Sequence, residues 1–414
     1  MPPVAAVCLL FPALLSAGIG LDEYSARRAR VRELLAKENG MAVFYGATED
    51  ERGDLRNRFF QEPNFYHLTG WTEPGAALLL TPTDEFLFLP ARSEVKDRYT
   101  GRKLAPEDPH AEQTTGVKHV LPFSKIELTF FSAAEKVKNI YGLIEFNRPP
   151  LLQQMANGRK IENAAPLIHP LRLRKSPGEL ALLRKSVEVT IEAHLAAWKR
   201  AQPGLREYQL SATMVLVYSE QGCERTAYPP IVGSGPNSTV LHYARNDRRM
   251  DAGEVVLIDV GAECGMYAAD VTRTIPVNGK FTKRQREIYD IVLGAQRAAI
   301  AAVKPGMHLA RKGEKSLYKI AYDYIEARGY GKYFTHGLGH HVGLEVHDPG
   351  APEVPLQPGM VITIEPGIYI PEESLGIRIE DMVLVTEKGG EVISDALPTE
   401  AEAIEKVMHD GGRR

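Results

Sequence analysis

The chain has 414 residues, of which 44% are hydrophobic, 25% charged and 8% aromatic, proportions that exclude disorder over most of its length. Its 50 Lys and Arg against 53 Asp and Glu give a formal net charge of -3, which argues against a nucleic-acid-binding protein with its basic domain or stripe. The three cysteines, Cys8, Cys223 and Cys264, form no C-x-x-C pair. We therefore expect neither a disulfide framework nor a thiolate zinc site, and any metal must be held by His, Asp and Glu.

The chain opens with an apolar, uncharged run at residues 4–20, which is short for a membrane span and is interrupted by Pro12. Small residues at Ser16-Ala17-Gly18 stand where a signal peptide would be cleaved. No basic residue precedes the run, and arginines follow it closely from Arg27 onward, which hinders export. We treat residues 1–20 as a possible signal peptide. The pattern favours an exported protein, periplasmic or secreted, over a cytoplasmic enzyme whose start was assigned too early.

The next part of the chain alternates short β-type runs with helical patterns, which predicts one α/β domain over residues 21–171. It begins with an amphipathic helix at Tyr24–Glu38, whose basic residues we assign to a solvent-exposed face. A further helical pattern covers Ser124–Ile140. The predicted strands are Met41–Tyr45, Phe65–Thr69, Ala77–Thr81, Phe86–Leu89 and Tyr141–Phe146.

A second domain is expected over residues 172–414. Ser176-Pro177-Gly178-Glu179 has the pattern of a capping box with proline at the first helical position, so a long helix should follow to about Arg200. Further on, Pro-Gly turns recur at Pro203 and Pro305, and pairs of predicted strands recur at similar spacing. The pairs are Val255–Glu263 with Tyr267–Val277, then Met360–Ile370 with Ile377–Thr386. We infer two similar halves that meet at a shared interface.

Each of these strand pairs carries two acidic residues at positions that should be buried. Asp259 interrupts Val-Val-Leu-Ile-Asp-Val-Gly, and Asp270, Glu365 and Glu380 stand in comparable surroundings. Burying an ionised carboxylate is costly unless it is paired or binds a metal. Strand alternation puts Arg378 on the same face as Glu380, but one arginine cannot compensate four carboxylates.

Histidines cluster between residues 336 and 347, where His336, His340 and His347 stand among glycines. The alternative is a glycine-rich turn with no ligand function. There is no H-E-x-x-H sequence, which excludes a helical zinc site of that kind. Four carboxylates and one histidine suit Mn²⁺ best, with Co²⁺, Zn²⁺ and Fe²⁺ as alternatives. Carboxylates that can bridge suggest two divalent metal ions, and peptide hydrolysis is the natural use of such a site.

These motifs resemble the pita-bread metallopeptidases, the family of methionine aminopeptidase, aminopeptidase P and prolidase. The resemblance covers residues 172–407, through Asp259-Val-Gly, His336-Gly-Leu-Gly-His340, Ile364-Glu-Pro-Gly367 and Arg378-Ile-Glu380. It implies an α/β (α+β) fold in which a creatinase/methionine aminopeptidase-like domain with a pseudo-two-fold repeat follows a smaller α/β domain. It also implies the metal ligands: Asp270 and Glu380 bridge two ions, Asp259 serves one, and His340 and Glu365 serve the other.

Phe59-Phe-Gln-Glu-Pro-Asn-Phe-Tyr-His-Leu-Thr-Gly70 is similar to the N-terminal domain of aminopeptidase P and prolidase, which methionine aminopeptidases lack. Within that group the resemblance implies that His242 lies near the substrate proline. It implies that His347 steadies the scissile carbonyl. Glu365 is the candidate general base, and Arg378 orients the carboxylate ligands. His336 and His341 are interpreted as structural.

The function that follows is an Xaa-Pro aminopeptidase, a metallo-aminopeptidase that releases the residue before a penultimate proline. An Xaa-Pro dipeptidase (prolidase) is the alternative, and a metal-free creatinase-like hydrolase or a non-catalytic peptide-binding module is a more distant one. The family also implies a homo-oligomer, a dimer or tetramer, with peptides as substrates. The glycine-rich segment Gly233–Ser238 is interpreted as a substrate-side loop or a plain connection.

Overall fold

The computed structural model of the chain describes residues 18–49, 59–143 and 150–411. The possible signal peptide at residues 1–20 thus falls, except for its last three residues, outside the described part of the chain. Among the described residues, no helix has the length and apolar character that crossing a membrane requires.

The N-terminal part is a mixed six-stranded sheet with the strand order β4-β3-β2-β1-β5-β6. Strand β1 is antiparallel to β2 and parallel to β5. The elements are α1 (Leu21–Lys37), β1 (Gly40–Tyr45), α2 (Pro63–Thr69), β2 (Ala77–Leu80), β3 (Glu85–Leu89), α3 (Glu94–Thr100), α4 (Ala111–Thr115), β4 (His119–Pro122), α5 (Ile126–Ala134), β5 (Asn139–Gly142), α6 (Pro150–Ala156), β6 (Ile161–Asn163) and α7 (Ala165–Leu173).

Strand β1 shows why this sheet is covered on both faces. Its side chains alternate between the faces, as in any strand. Ala42 and Phe44 pack with apolar side chains of α1, α2 and α7. Met41 and Val43 pack on the opposite face with those of α5 and α6. The sheet is therefore the middle layer of an α/β domain, as predicted.

Segment Phe65–Thr69, predicted as a strand, is instead part of helix α2. The Glu62 side chain caps this helix by accepting hydrogen bonds from the backbone N–H groups of its second and third residues, at 3.1 and 2.6 Å. Pro63 occupies the first helical position. All seven residues of the helix are buried. A short buried apolar run is compatible with a strand and with a helix. Here the capping hydrogen bonds from Glu62 favour the helix.

Helix α1 is confirmed, but the prediction that its basic side chains face solvent is wrong for two of them. Arg28 is fully buried, and its guanidinium donates hydrogen bonds to both carboxylate oxygens of Glu85 at 3.1 and 3.2 Å. Arg27 is buried and forms ion pairs with Glu23 and Glu179. These charges are part of the interior, where they are paired.

Two other predicted elements have different bounds. The helical pattern Ser124–Ile140 contains helix α5 and then the start of strand β5 at Asn139. Strand β5 ends at Gly142, and the last three residues of the predicted strand Tyr141–Phe146 lie outside the described residues.

The C-terminal part contains four small antiparallel sheets and five helices among the described residues. The predicted domain boundary falls in the last turn of α7, a few residues before α8 begins. The elements are α8 (Pro177–Arg200), α9 (Glu207–Glu220), β7 (Arg225–Thr226), β8 (Ile231–Ser234), β9 (Val255–Val260), β10 (Ala262–Cys264), β11 (Tyr267–Ala268), β12 (Val271–Pro276), α10 (Lys283–Ala301), α11 (Leu317–Glu326), β13 (Val361–Ile364), β14 (Gly367–Ile370), β15 (Leu375–Arg378), β16 (Asp381–Thr386), β17 (Gly389–Val392) and α12 (Ala401–Gly411).

Helix α8 begins as the sequence predicts. The Ser176 side chain accepts a hydrogen bond from the Glu179 backbone N–H at 3.2 Å, and the Glu179 carboxylate accepts one from the Ser176 N–H at 2.9 Å. This reciprocal capping box fixes the first turn of a 24-residue helix. The helix then packs against strands β10 and β12 through one continuous apolar core.

Each half of this part supplies two helices and antiparallel strands, in the order expected for a repeat. Strand β9 pairs with β8 and β12 in the first half, and β13 pairs with β16 in the second. Side chains of both halves meet in one core, for example Ile258 and Ile275 with Ile362 and Val383. The predicted strand pairs are therefore present, and their ends meet between the halves.

One expectation about the cysteines is wrong. Cys223, which follows α9, and Cys264 of β10 form a disulfide that links residues 41 positions apart. Both cysteines are buried. Sequence spacing gave no sign of this pair, because the two residues meet only through the pairing of β7 with β10.

Candidate metal centre and active site

The first two candidate ligands lie at one end of the β9–β12 pair. Asp259 on β9 is the cross-strand partner of Thr272, and Asp270 precedes Thr272 by two residues. The two carboxylates are therefore diagonal neighbours on one face of the sheet. A glycine makes this approach possible: a Cβ at Gly261 would lie 1.7 Å from the carbonyl oxygen of Ala269. Any other residue there would push the two strands apart.

The remaining ligands come from the second half. Glu365 directly follows β13, and Glu380 directly precedes β16. The loop that carries His340 runs alongside β13, where the Thr363 N–H donates to the His340 carbonyl at 2.9 Å. The Glu365 N–H donates to the Leu338 carbonyl at 2.8 Å. Backbone pairing therefore holds the predicted histidine beside the predicted glutamate.

The five predicted ligands form one cluster. The ligand atoms of Asp270, His340 and Glu380 lie within 4.8 Å of one another. His340 Nε2 lies 3.3 Å from Asp270 Oδ2 and 3.5 Å from Glu365 Oε1. Asp259 joins through Asp270, since both carboxylates contact the same hydroxyl, that of Tyr228, at 2.5 Å.

The electrostatics of the cluster favour a bound cation. Burial raises the pKa of Asp270 well above its ordinary value, and repulsion from Asp259 adds to the shift. Burial, with repulsion from Asp270, does the same to the pKa of Glu380. Burial and the nearby Glu380 raise the pKa of Glu365 to about 8. Divalent cations reverse such penalties, because they compensate the negative charge that burial and crowding disfavour.

The donor set fits divalent metal ions. Its carboxylates are oxygen donors of the hard type, and the one imidazole is oriented for coordination. His340 Nδ1 lies 3.2 Å from the carbonyl oxygen of His341, which leaves Nε2 facing the carboxylates. The Thr272 hydroxyl donates to Glu380 at 2.6 Å and fixes that carboxylate in turn.

A cavity of about 260 Å³ opens onto the cluster. Two further predicted residues, His242 and His347, line it. The ring of His347 lies 4.1 Å from that of His340, centroid to centroid. Burial, with the neighbouring His340 and His242, lowers the pKa of His347 to about 4. The other lining residues are Tyr228, Pro229, Ile231, Ala244, Asp259, Asp270, His340, Val346, Glu365 and Glu380.

Arg378 lies behind the ligands and does not line the cavity. Its guanidinium donates to Asp259 Oδ2 at 2.5 Å and to the Thr272 hydroxyl at 3.3 Å. It also donates to the Tyr369 hydroxyl at 2.9 Å, which lies 2.8 Å from His336 Nε2. Arg378 therefore contacts the Asp259 carboxylate from behind the cavity, and His336 extends this hydrogen-bond network through Tyr369.

His341, interpreted as structural, is buried, and its ring has no hydrogen-bond partner among the described residues. Its ring lies against Gly350, where a Cβ would lie 2.2 Å from the ring.

Sequence reasoning missed two residues that shape this site. Tyr228 contacts both aspartates, but a tyrosine before two prolines gives no signal of that role. Arg273 is fully buried on β12 and donates to the Glu380 carbonyl at 2.6 Å and to Asp381 at 2.7 Å. The sequence did contain a signal for Arg273. An arginine within an apolar strand indicates a buried ion pair, because a buried charge needs a partner.

Known proteins share this architecture. Residues 181–387 match the model of Metallopeptidase family M24, and residues 24–141 match that of Aminopeptidase P, N-terminal domain. An Xaa-Pro aminopeptidase of Haemophilus influenzae is 33% identical over 94% of this chain and 97% of its own. An Xaa-Pro dipeptidase of Pyrococcus horikoshii is 35% identical over 83% of this chain and 93% of its own. The structure of Escherichia coli aminopeptidase P with the inhibitor Pro-Leu matches with a TM-score of 0.87 and 30% identity, covering 96% of this chain and all of that one.

The chain belongs to metallopeptidase family M24. Its N-terminal domain places it in the aminopeptidase P branch of that family. The predicted family and the predicted fold class are thereby confirmed. The enzyme is a metallo-aminopeptidase, and its ligand cluster is a divalent-metal site.

Proposed function

We propose that this enzyme releases the N-terminal residue from peptides with proline in second position, and that it binds two divalent metal ions per chain, Mn²⁺ foremost. The observation that carries the proposal is the cluster of five ligand side chains at a cavity that His242 and His347 also line. The Haemophilus influenzae relative, which has this activity in its name, is covered over 97% of its length.

Each ligand has an assigned place in this proposal. Asp259, Asp270, His340, Glu365 and Glu380 would together hold the two ions. Bound there, the ions would lower the pKa of a water molecule and would supply positive charge opposite the developing oxyanion. Arg378 keeps the Asp259 carboxylate in place through its 2.5 Å hydrogen bond.

The chain's own residues then handle the peptide and the proton. The Glu365 carboxylate accepts a proton from the attacking water and returns it to the proline nitrogen as the C–N bond breaks. His347 donates a hydrogen bond to the carbonyl oxygen, on which negative charge develops. His242 lies beside the proline ring. Glu365 and both histidines line the same cavity, as these roles require.

The test uses a matched pair of substrates, Xaa-Pro and Xaa-Pro-Xaa-Xaa, with enzyme stripped by chelator and then supplied with Mn²⁺. We expect metal-dependent release of the first residue from the longer peptide, and two metal ions per chain by elemental analysis. Glu391→Gln, on the exposed strand β17, is the matched control variant and should behave as the wild-type enzyme. Absence of metal-dependent cleavage of both peptides would overturn the proposal.

An Xaa-Pro dipeptidase is the second candidate, because the Pyrococcus horikoshii relative with that name is 35% identical. That relative matches 83% of this chain, whereas the aminopeptidase relative matches 94%. The longer match favours the aminopeptidase. Cleavage of the dipeptide alone in the same experiment would establish the dipeptidase instead.

We also propose that the enzyme is a homo-oligomer that associates through its N-terminal domain. Helix α3 of that domain exposes two large apolar side chains, Val95 at 65% and Tyr99 at 86% of their surface. Burying such side chains is favourable in water. Light scattering should give a mass above that of one chain, and Val95→Ser with Tyr99→Ser should lower it. A monomeric wild-type enzyme would contradict this.

Export to an oxidising compartment is proposed for the same protein. The buried Cys223–Cys264 disulfide supports it, because disulfides persist outside the cytosol and are rare within it. The N-terminal sequence of the protein purified from its native cell should begin near residue 18. A start at Met1 would contradict export by this route.

A further inference from the structure

Glu207 is a fully buried carboxylate outside the ligand cluster, at the first position of helix α9. A buried ionised carboxylate is tolerated only when hydrogen bonds replace its water shell. Five donors surround it. They are the Ser234 N–H at 2.7 Å, the Ser234 hydroxyl at 2.8 Å and the Asn237 amide at 3.1 Å on Oε1, with the Tyr243 hydroxyl at 2.9 Å and the Arg248 N–H at 3.0 Å on Oε2.

These donors lie on both sides of His242 along the chain. Oε1 accepts hydrogen bonds from residues that precede His242 in the chain, and Oε2 accepts them from residues that follow it. One carboxylate therefore closes the segment 234–248 into a loop with His242 between the two attachment points. The first turn of α9 adds backbone bonds to the same segment, since the Glu207 N–H donates to the Arg248 carbonyl at 3.0 Å.

The opposite side of the loop rests on strand β15. The Gly376 N–H donates to the Ser238 hydroxyl at 2.8 Å, and a Cβ at Gly376 would lie 1.9 Å from the Ser238 carbonyl oxygen. Arg378 donates to the Leu241 carbonyl, directly before His242, at 3.4 Å. The loop is thus held between Glu207 and the strand that carries Arg378.

The His242 ring itself is exposed at the cavity and has no hydrogen-bond partner among the described residues. Its location in the cavity is therefore set by the backbone of the loop. The glycine-rich segment Gly233–Ser238, predicted to be a substrate-side loop or a plain connection, is the part of this loop that Oε1 holds.

We propose that Glu207 is a positioning residue that places His242 against the residue following the scissile bond, and so sets the preference for proline there. The inference rests on the proposed function, in which His242 lies beside the substrate proline. The alternative is that Glu207 only stabilises the fold. The two hypotheses predict different kinetics. If Glu207 positions His242, replacing Glu207 affects catalysis only while His242 is present; if Glu207 only stabilises the fold, its effect does not depend on His242.

The experiment compares Glu207→Gln, His242→Ala and the double variant on Xaa-Pro-Xaa-Xaa with Mn²⁺-loaded enzyme. The amide keeps the shape of the side chain but presents N–H groups to donors, so the loop loses part of its support. We expect KM to rise about tenfold, as for one lost hydrogen bond to a charged group, while kcat changes less than about twofold. The double variant should be no worse than His242→Ala alone, because the two residues act as one unit.

Glu220→Gln, exposed at the other end of the same helix, is the matched control and should keep the wild-type KM. If Glu207→Gln does not fold, Tyr243→Phe, which removes one donor only, replaces it in the same cycle with a smaller rise in KM. If the wild-type enzyme is active but the effects of the two substitutions on KM multiply in the double variant, this inference is overturned and the proposed function stands. A wild-type enzyme that does not cleave the tetrapeptide would overturn the proposed function and this inference with it.

Discussion

Arg172 donates a hydrogen bond to Asp348 Oδ1 at 2.5 Å, and Asp348 directly follows His347 in the chain. Arg172 is the last residue but one of helix α7 and also donates to Asn64 of α2, in the N-terminal domain, at 2.8 Å. Lys175 donates to the second oxygen of Asp348 at 3.0 Å. The loop that carries His347 is therefore anchored to the N-terminal domain through one buried carboxylate.

Replacing Asp348 with asparagine should destabilise the enzyme by about 3–5 kcal/mol, because two buried cations lose a buried anionic partner and Arg172 keeps its ion pair with the part-exposed Glu345. Arg172 and Lys175 are both buried, so water cannot compensate them fully. The expected kcat is lower as well, since His347 loses its anchor. Chemical denaturation and steady-state kinetics measure the two effects.

The control is Glu345→Gln, since Glu345 binds the same Arg172 at 2.8 Å but leaves its side chain 36% exposed. An ion pair with an exposed partner contributes less, about 1 kcal/mol or below. Equal stability of Asp348→Asn and the wild-type enzyme would contradict the prediction.

Metal removal should destabilise the wild-type enzyme, because the buried carboxylates repel one another without a cation. Adding Mn²⁺ to the stripped enzyme should raise its melting temperature, since the ion binds the folded state only. Glu380→Gln should abolish most of this increase and lower the bound metal content. An undiminished increase in that variant would show that the ions bind elsewhere.

Acid should weaken the fold through His194. This side chain is fully buried on α8, with Nε2 3.1 Å from the Val271 carbonyl oxygen, and burial lowers its pKa to about 3. The unfolded chain takes up a proton near pH 6.5, whereas the folded chain does not. The free energy of unfolding therefore falls as the pH drops from 6.5 towards 3, by about 1.4 kcal/mol per unit for this group.

His194→Gln removes the titrating group and keeps an N–H donor for the Val271 carbonyl. Between pH 7 and pH 5 its free energy of unfolding should decrease by about 2 kcal/mol less than that of the wild-type enzyme. Urea denaturation at the two pH values gives both numbers. Identical decreases would refute the assignment to His194.

Reducing the Cys223–Cys264 disulfide should lower the free energy of unfolding by about 4 kcal/mol, the chain-entropy expectation for a closed loop of 41 residues. Differential scanning calorimetry with and without dithiothreitol measures the change. The double variant Cys223→Ser, Cys264→Ser should already melt at the lower temperature and should not respond to the reductant. A response in that variant would point to another cause.

The clustering of the candidate metal ligands was predictable from the sequence for a physical reason. Asp259 and Glu365 interrupt apolar strands, and a buried charge must be compensated, so its presence in the sequence indicates a partner. The role of Tyr228 was not predictable. A tyrosine is common in apolar interiors, and nothing in the neighbouring sequence indicates which group its hydroxyl contacts. Its hydroxyl meets Asp259 and Asp270 only when residues 31 and 42 positions away fold against it.

Local signals predicted the fold well where they agreed with the packing. The capping box at Ser176 gave the start of α8, since both of its hydrogen bonds are local. The run Phe65–Thr69 was predicted wrongly because burial removes the alternation that separates strand from helix. The burial of Arg28 depends on Glu85, which lies 57 residues away, and no local pattern records such a pair.

The metal site cannot exist before both halves of the C-terminal part have docked. Its ligands lie on β9, on the turn before β12, beside β13 and before β16, and Arg273 joins the halves through Asp381. Contacts over such sequence distances form late in folding, because chain entropy opposes them until the rest is in place. A chain from which either half is missing therefore lacks part of the ligand set, so the two halves can form the site only as one folded unit.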